Sequence, residues 1–409
     1  MKKVTLALLV LFALGLLGVV GCGGGGGEGG GVGTVAGTVF APDGATPVAD
    51  AYIYVPVGGV VASAVQSRED AIVFTNSGAD GHFLLEDVPV GTVTVKIVKG
   101  SWLKVFEAVV HGGQTTDAPA SDTTLPDQGT GVPKIAVVTG AFDRMEDVLA
   151  KLGLGEVDDS GTLIPGTEKF TLIDGNGTLD PPYEDFDAIL TDPTKLQSYD
   201  IIFINCGNSY ENLLFDDPQV VNNLRDYVFG GGSLYVTDWS YDYVEQAFPE
   251  FIDFYGSDAV AQSEPENWDE AAVGTGGVTN NATVVDTTLR SWLQNLPGGS
   301  ALNPDGTVPI VGFLGGWVVM NSANTAAGTK VWIQANDFFY PSVAGVAHAS
   351  RHGRVLAGSR GEVAGDPLTV TFTHGEGRVL YSSYHTEETP SPDLRPQERV
   401  LAYLVFEVS

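Results

Sequence analysis

The hydrophobic period changes once along this chain, and that change constrains the fold more than any other feature. From Thr34 to about Leu125, apolar and polar residues alternate; from residue 133 onward, apolar residues gather in short unbroken blocks separated by helical patterns. Alternation marks strands with one wet face, whereas unbroken blocks mark strands covered on both faces. The spacing therefore predicts two domains: an all-β one over 34–125 and an α/β one over 133–409, joined by a linker at 126–132. A mature chain of this length can bury two sizeable cores.

In the first domain Val35, Gly37 and Val39 alternate with Thr34, Ala36 and Thr38. Pro42-Asp43-Gly44 is a turn, Ala51 to Val55 a second strand, and Asn76 to Gly81 a further turn before His82-Phe83-Leu84-Leu85. After Pro89-Val90-Gly91, Val93, Val95 and Ile97 face one way and Thr92, Thr94 and Lys96 the other. Short strands between such turns predict a small β-sandwich. Four landmarks, Gly37-Thr38-Val39, Pro47-Val48-Ala49-Asp50-Ala51, Asp80-Gly81-His82-Phe83 and Val88-Pro89-Val90-Gly91, resemble the carboxypeptidase regulatory-like family. That resemblance implies a transthyretin-like sandwich acting as a spacer or binding accessory, without chemistry of its own.

In the second domain Ile135 to Val138, Ile201 to Ile204 and Leu234 to Val236 read as buried strands. Met145, Val148, Leu149 and Leu152 recur at helical spacing; Asp217 and Pro218 open a helix that buries Val221, Leu224 and Val228 and stops at Gly230-Gly231-Gly232. Leu368 to Phe372, Val379 to Ser382 and a last helix with Val400, Leu401 and Leu404 follow. This alternation predicts a doubly wound, flavodoxin-like parallel sheet. The Gly- and Asn-rich stretch from Phe251 to Thr329 is expected to hold insertions at strand ends.

Three landmarks of this domain resemble the class I glutamine-amidotransferase-like fold and its trehalose-utilisation-type branch. They are Ile201 to Ile204 with Asn205-Cys206-Gly207-Asn208, the helix ending at Gly230-Gly231-Gly232-Ser233 before a strand, and Gly375 to Glu387 with His385-Thr386-Glu387. In the active family a cysteine at a tight, glycine-flanked strand-to-helix elbow attacks an amide, with histidine as base and a nearby acid orienting it. Here the elbow reads Val236-Thr237-Asp238-Trp239-Ser240-Tyr241, without a cysteine, so glutamine hydrolysis by that route is not expected. Asp238, at the elbow, suits a metal or a sugar hydroxyl. His385 and Glu387 are either a retained base and orienter or polar residues satisfied locally at a strand end. Cys206 lies on the oxyanion-loop strand, and a half-buried structural thiol is expected there.

Asp174, Asn176, Asp180 and Asp185 place oxygen ligands around a Gly-rich turn in the manner of a calcium loop. Leu179 stands where an EF-hand needs its sixth-position glycine, so the competing reading is a solvated acidic loop. No cofactor is implied apart from Ca2+ at this loop. Trp239 and Tyr241, with Tyr243, Trp268 and Trp317, offer aromatic faces for sugar stacking, or else belong to the core.

The amino terminus sets the location. Lys2 and Lys3, the apolar run Leu6 to Leu17, and Val19-Val20-Gly21 before Cys22 have the order of a signal peptide, 1–21. The segment resembles the lipobox of bacterial lipoproteins, which implies acylation of Cys22, anchoring to the cell envelope and, with Gly23 following, the outer membrane in a Gram-negative host. Glycines dominate residues 22–33 and predict a flexible tether. With Cys22 acylated, Cys206 is left without a partner for an intramolecular disulfide, since the chain has 2 cysteines. The formal charge of −31 repels phosphate backbones and excludes nucleic acid as a partner. Two function classes follow: non-catalytic binding or scaffolding of glycans or envelope proteins, and extracytoplasmic hydrolysis of a carbohydrate or amide through Asp238, His385 and Glu387.

Overall fold

The computed structural model describes residues 31–57, 71–179, 183–254, 279–313, 317–336, 365–386 and 391–409, with isolated positions between 264 and 277 and the pairs 348–349 and 355–356. The signal segment, Cys22, most of the tether, Asp180, Trp268 and Glu387 lie outside the described residues. Among the described residues, no helix is long and apolar enough to cross a membrane. The chain is a mixed α/β protein with several sheets.

Seven strands form before residue 118: β1 (Val32–Thr38), β2 (Tyr52–Pro56), β3 (Ala71–Asn76), β4 (His82–Pro89), β5 (Gly91–Lys99), β6 (Trp102–Val110) and β7 (Thr115–Asp117). They pair into a three-stranded sheet, β4-β1-β7, and a four-stranded sheet, β3-β2-β5-β6. The alternating pattern points Val35, Phe83 and Leu85 of one sheet and Ile53, Val55, Val95 and Ile97 of the other into a common core. Leu84, one residue out of phase, is half exposed. The Asp80-Gly81 turn needs glycine: Gly81 has φ +76°, and a Cβ there would lie 2.6 Å from the Val39 carbonyl oxygen.

The rest of the chain builds on one nine-stranded sheet. Its strands are β8 (Ile135–Val138), β9 (Thr171–Ile173), β10 (Ile201–Ile204), β11 (Ser233–Thr237), β13 (Asn280–Val284), β14 (Val308–Ile310), β16 (Lys330–Gln334), β19 (Pro367–His374) and β20 (Gly377–Ser382). β12 (Ile252–Phe254) pairs with β15 (Met320–Ala323), and β17 (His348–Ala349) with β18 (Val355–Leu356), outside it. The order is β14-β13-β16-β19-β20-β11-β10-β8-β9. From β20 to β9 the pairing is parallel, and every residue of β8, β10 and β11 is buried, as expected where helices cover both faces. From β20 outward through β19, β16, β13 and β14 the pairing is antiparallel. The sheet is therefore mixed and not wholly parallel, and the 251–329 stretch supplies two of its strands as well as insertions. Hairpin geometry joins β19 directly to β20, a connection too short for the crossover that parallel neighbours need.

The Met145–Leu149 helix runs on as a π-helical turn, Ala150–Leu154, and buries all four residues of the expected face. Asp217 caps the Pro218–Phe229 helix by accepting from the Gln219 N–H at 3.1 Å. That helix buries Val220, Leu224 and Val228, so its inner stripe passes through Val220 in place of Val221. The final helix, Pro396–Val408, lies against the nine-stranded sheet and also meets the first seven strands: its Phe406 ring packs on Trp102 with centroids 5.0 Å apart.

Candidate functional site

Parallel strands deliver their C-terminal ends to one edge of a sheet, and β10, β11 and β20 are neighbours there. Each is followed at once by a chemically active side chain. β10 ends at Ile204 and leads to Cys206; β11 ends at Thr237 and leads to Asp238; β20 ends at Ser382 and leads to His385. The Sγ of Cys206 lies 3.7 Å from Asp238 Oδ2, and His385 Nε2 lies 3.7 Å from the same oxygen. Among the described residues, one group of three or more His, Cys, Asp or Glu brings its ligand atoms within 4.8 Å of one another, and it is this one.

Asp238 directly follows the end of β11 and opens a short 3-10 turn. Its φ is +41°, a left-handed value that costs a non-glycine residue energy and persists only where its surroundings enforce it. Here the enforcement is visible: Oδ1 accepts from the Val318 N–H at 2.8 Å, and the Asp238 carbonyl accepts from the Tyr381 hydroxyl at 2.9 Å. Burial pushes the Asp238 carboxyl up to about 6, against the opposing pull of His385, the Val318 N–H and the Cys206 thiol. His385 Nδ1 is 2.7 Å from the Thr386 carbonyl oxygen, which only accepts, so Nδ1 carries a proton and Nε2 faces Asp238.

A second carboxylate, missed by the sequence reading, ties the strand ends together. Asp143 is 1% exposed. Its Oδ2 accepts from Thr237 Oγ1 at 2.5 Å, and its Oδ1 from the N–H of Thr386 at 3.0 Å, the Thr386 hydroxyl at 2.8 Å and the Arg144 N–H at 2.8 Å. Thr237 Oγ1 in turn accepts from the Cys206 N–H at 3.0 Å, so all three reactive positions are linked through Asp143. Gln397 of the final helix donates to the His385 carbonyl at 2.8 Å and accepts from the Val311 N–H at 2.7 Å. Beside Asp143, burial pushes the Glu146 carboxyl up to about 7.

The space beside Asp238 and His385 is small. Among the described residues, Val311, Phe313, Trp317, Tyr384 and Gln397 line a cavity of about 10 Å³ there, the size of one water. Cys206 and Asp238 are 0% exposed and His385 is 4% exposed. Cys206 is thus fully buried against Asp238, not a half-buried isolated thiol.

Among the described residues the other candidates do not join this group, although Asp174 and Asp185 meet through an isolated parallel backbone bridge. Asp174 Oδ1 is spent on its own loop, accepting from the N–H groups of Asn176, Gly177 and Thr178 at 3.2, 2.8 and 3.2 Å, while Asn176 Oδ1 accepts from the Thr178 hydroxyl. This is an Asx-type turn, with Asp174 buried and Asp185 exposed, and Asp180 lies outside the described residues. Tyr241 is fully buried, 5.2 Å from the Phe254 ring, and so presents no face for sugar stacking. Trp239 is half-buried and meets Tyr241 edge-on at 6.2 Å. Tyr243 and Trp317 are core residues.

No protein-family model and no curated protein matches the sequence. Among solved structures, the chain is similar to cytoplasmic protein STM3548 from Salmonella typhimurium, at 11% identity over 68% of this chain and 98% of that one, with a TM-score of 0.34. It is similar to cytoplasmic protein STM1381 from Salmonella typhimurium LT2, at 13% identity over 67% and 96%, TM-score 0.31. A β-galactosidase from Bacillus circulans sp. alkalophilus matches at 10% identity over 68% of this chain and 30% of that one, TM-score 0.30. Likenesses this remote assign neither fold nor activity.

Proposed function

We propose that this protein is a cell-envelope lipoprotein, held by acylated Cys22, whose α/β domain binds or scaffolds envelope components, glycans among them, and does not hydrolyse them. In this reading the first seven strands are a transthyretin-like sandwich serving as a spacer. The second domain is a flavodoxin-like core of the class I glutamine-amidotransferase-like type that has lost its nucleophile. Two features favour that description: a core shared by the three- and four-stranded sheets of the first seven strands, and the parallel order β9-β8-β10-β11-β20, which in chain order is 2-1-3-4-5.

One observation carries the choice against hydrolysis. The groups that would act, Asp238 and His385, border a cavity of about 10 Å³ that Phe313, Trp317 and Tyr384 also line among the described residues. A hydrolase must hold a reacting bond within about 3–3.5 Å of its catalytic groups, and a sugar or amide is far larger than this void.

The test has two arms. Cells fed an alkyne fatty acid should yield labelled, membrane-sedimenting wild type, and unlabelled Cys22→Ser protein in the soluble fraction; absence of label on the wild type overturns the anchor. The full-length protein should show a concentration-dependent rise in melting temperature with a bound glycan, and no turnover of chromogenic glycosides or amides above that of Asp238→Asn. Turnover abolished by Asp238→Asn overturns the binding reading in favour of a hydrolase.

A further inference from the structure

We propose that Cys206, Asp238 and His385 form a binding site for one divalent transition-metal ion of the zinc class, with a water in the adjoining cavity as its fourth ligand. The inference is independent of membrane anchoring and of any glycan.

The three potential ligand atoms lie within 4.8 Å of one another. At Zn–S of about 2.3 Å and Zn–N or Zn–O of about 2.0 Å, tetrahedral ligands stand about 3.5 Å apart. The Sγ to Oδ2 and Nε2 to Oδ2 separations are both 3.7 Å. For the histidine and carboxylate, 3.7 Å is too long for a hydrogen bond, whose N···O distance is about 2.7–3.2 Å. Three ligand atoms within 4.8 Å of one another leave a common centre that an ion fills.

The surroundings orient each ligand as metal sites require. Metal-bound imidazoles usually donate their second nitrogen to a carbonyl or carboxylate, and bound carboxylates are themselves hydrogen-bonded. His385 Nδ1 donates to the Thr386 carbonyl at 2.7 Å, which leaves Nε2 for the ion. Asp238 Oδ1 accepts from the Val318 N–H at 2.8 Å, and Oδ2 accepts from the Cys206 thiol at 3.7 Å, a hydrogen bond that an ion bound between the two would replace. The strained φ of +41° at Asp238 turns that oxygen toward the other two groups. The cavity beside Asp238 and His385 has room for about one water, which would complete a four-coordinate shell with the three protein ligands.

The donor set selects the ion. Thiolate and imidazole favour zinc and its neighbours, whereas calcium and magnesium take oxygen ligands. Such an ion would neutralise two buried acidic groups and cross-link the ends of β10, β11 and β20. Since all three ligands are sealed from solvent, the ion enters as the chain folds.

Full-length protein isolated from cells grown with zinc should carry about one zinc per chain by elemental analysis. Protein from cells supplied with Co2+ should show sulfur-to-cobalt charge-transfer absorption in the near ultraviolet and the strong visible bands of four-coordinate cobalt. Cys206→Ser should abolish the charge-transfer band while circular dichroism stays native. Asp238→Asn and His385→Ala should weaken retention by more than the roughly 10–100-fold that loss of an outer partner costs. Wild-type protein that contains no transition metal and shows no cobalt band overturns the proposal, even if a variant fails to fold. So does a cobalt band that Cys206→Ser leaves unchanged, which would place the ion elsewhere.

Discussion

Asp143 carries the largest share of hydrogen bonding around the site, because a buried carboxylate is tolerated only when its lone pairs are filled. Its four donors come from Thr237, Thr386 and Arg144; truncation removes the acceptor of all four, and of these the Arg144 N–H keeps a bond to the Thr386 hydroxyl. Asp143→Ala should cost about 3 kcal/mol or more in urea unfolding, since each orphaned buried donor costs about 1–3 kcal/mol. Asp143→Asn, which keeps one acceptor oxygen, should cost less. Glu146 makes the opposite case. Burial raises its carboxyl from 4.5 to about 7, with Asp147 and Asp143 adding to the rise and Arg144 opposing it. The folded state therefore holds a proton that the unfolded state has released between those two values. Stability from this group is present below about 4.5, declines as pH rises, and is gone above about 7. Glu146→Gln, still able to accept from Asn205, should match wild type near pH 4.5 and exceed it by about 2–3 kcal/mol above pH 7 in unfolding experiments at several pH values.

At the scale of elements, strand ends determine the site, and the loops leaving them approach one another closely. A Cβ on Gly140, just past β8, would lie 2.1 Å from the Cys206 carbonyl oxygen. Backbone cannot yield as a side-chain tip can, so Gly140→Ala should push the Cys206 loop away. The expected cost is about 1–3 kcal/mol in denaturant midpoints, with the Cys206 thiol becoming reactive toward a thiol reagent. The elements themselves were largely legible in sequence: Ile135 to Val138 and Ile201 to Ile204 announce covered strands through unbroken apolar runs, and Asp217-Pro218 announces a helix start. Direction was not. The apolar pattern of Leu368 to Phe372 reads the same in either direction, and only the short link from His374 to Gly377 signals that β19 runs antiparallel to β20.

Across the whole molecule, one hydrophobic cluster spans both halves, including Ile53 and Phe83 from the first seven strands and Trp292 and Leu404 from the rest. Polar contacts reinforce the seam: Lys99 pairs with Glu407 at 2.5 Å, and the Trp292 indole N–H donates to the Pro47 carbonyl at 2.7 Å. The halves should therefore melt together. Phe406→Ala, which empties the contact with Trp102, should cost about 3–5 kcal/mol and split one calorimetric transition into two. A single transition in both proteins would show that the seam is not what couples them.

The boundary between what sequence settles and what needs the fold runs along the same lines. Local pattern determined the strands of the first half, the covered strands of the second, and the elbow position of Asp238 and strand-end position of His385, because periodicity and turn chemistry are properties of neighbouring residues. The meeting of Cys206 with Asp238 and His385, the role of Asp143, and the burial of Tyr241 were decided by the tertiary structure alone. These depend on which strands lie side by side, and sheet order is set by packing between segments far apart in the chain.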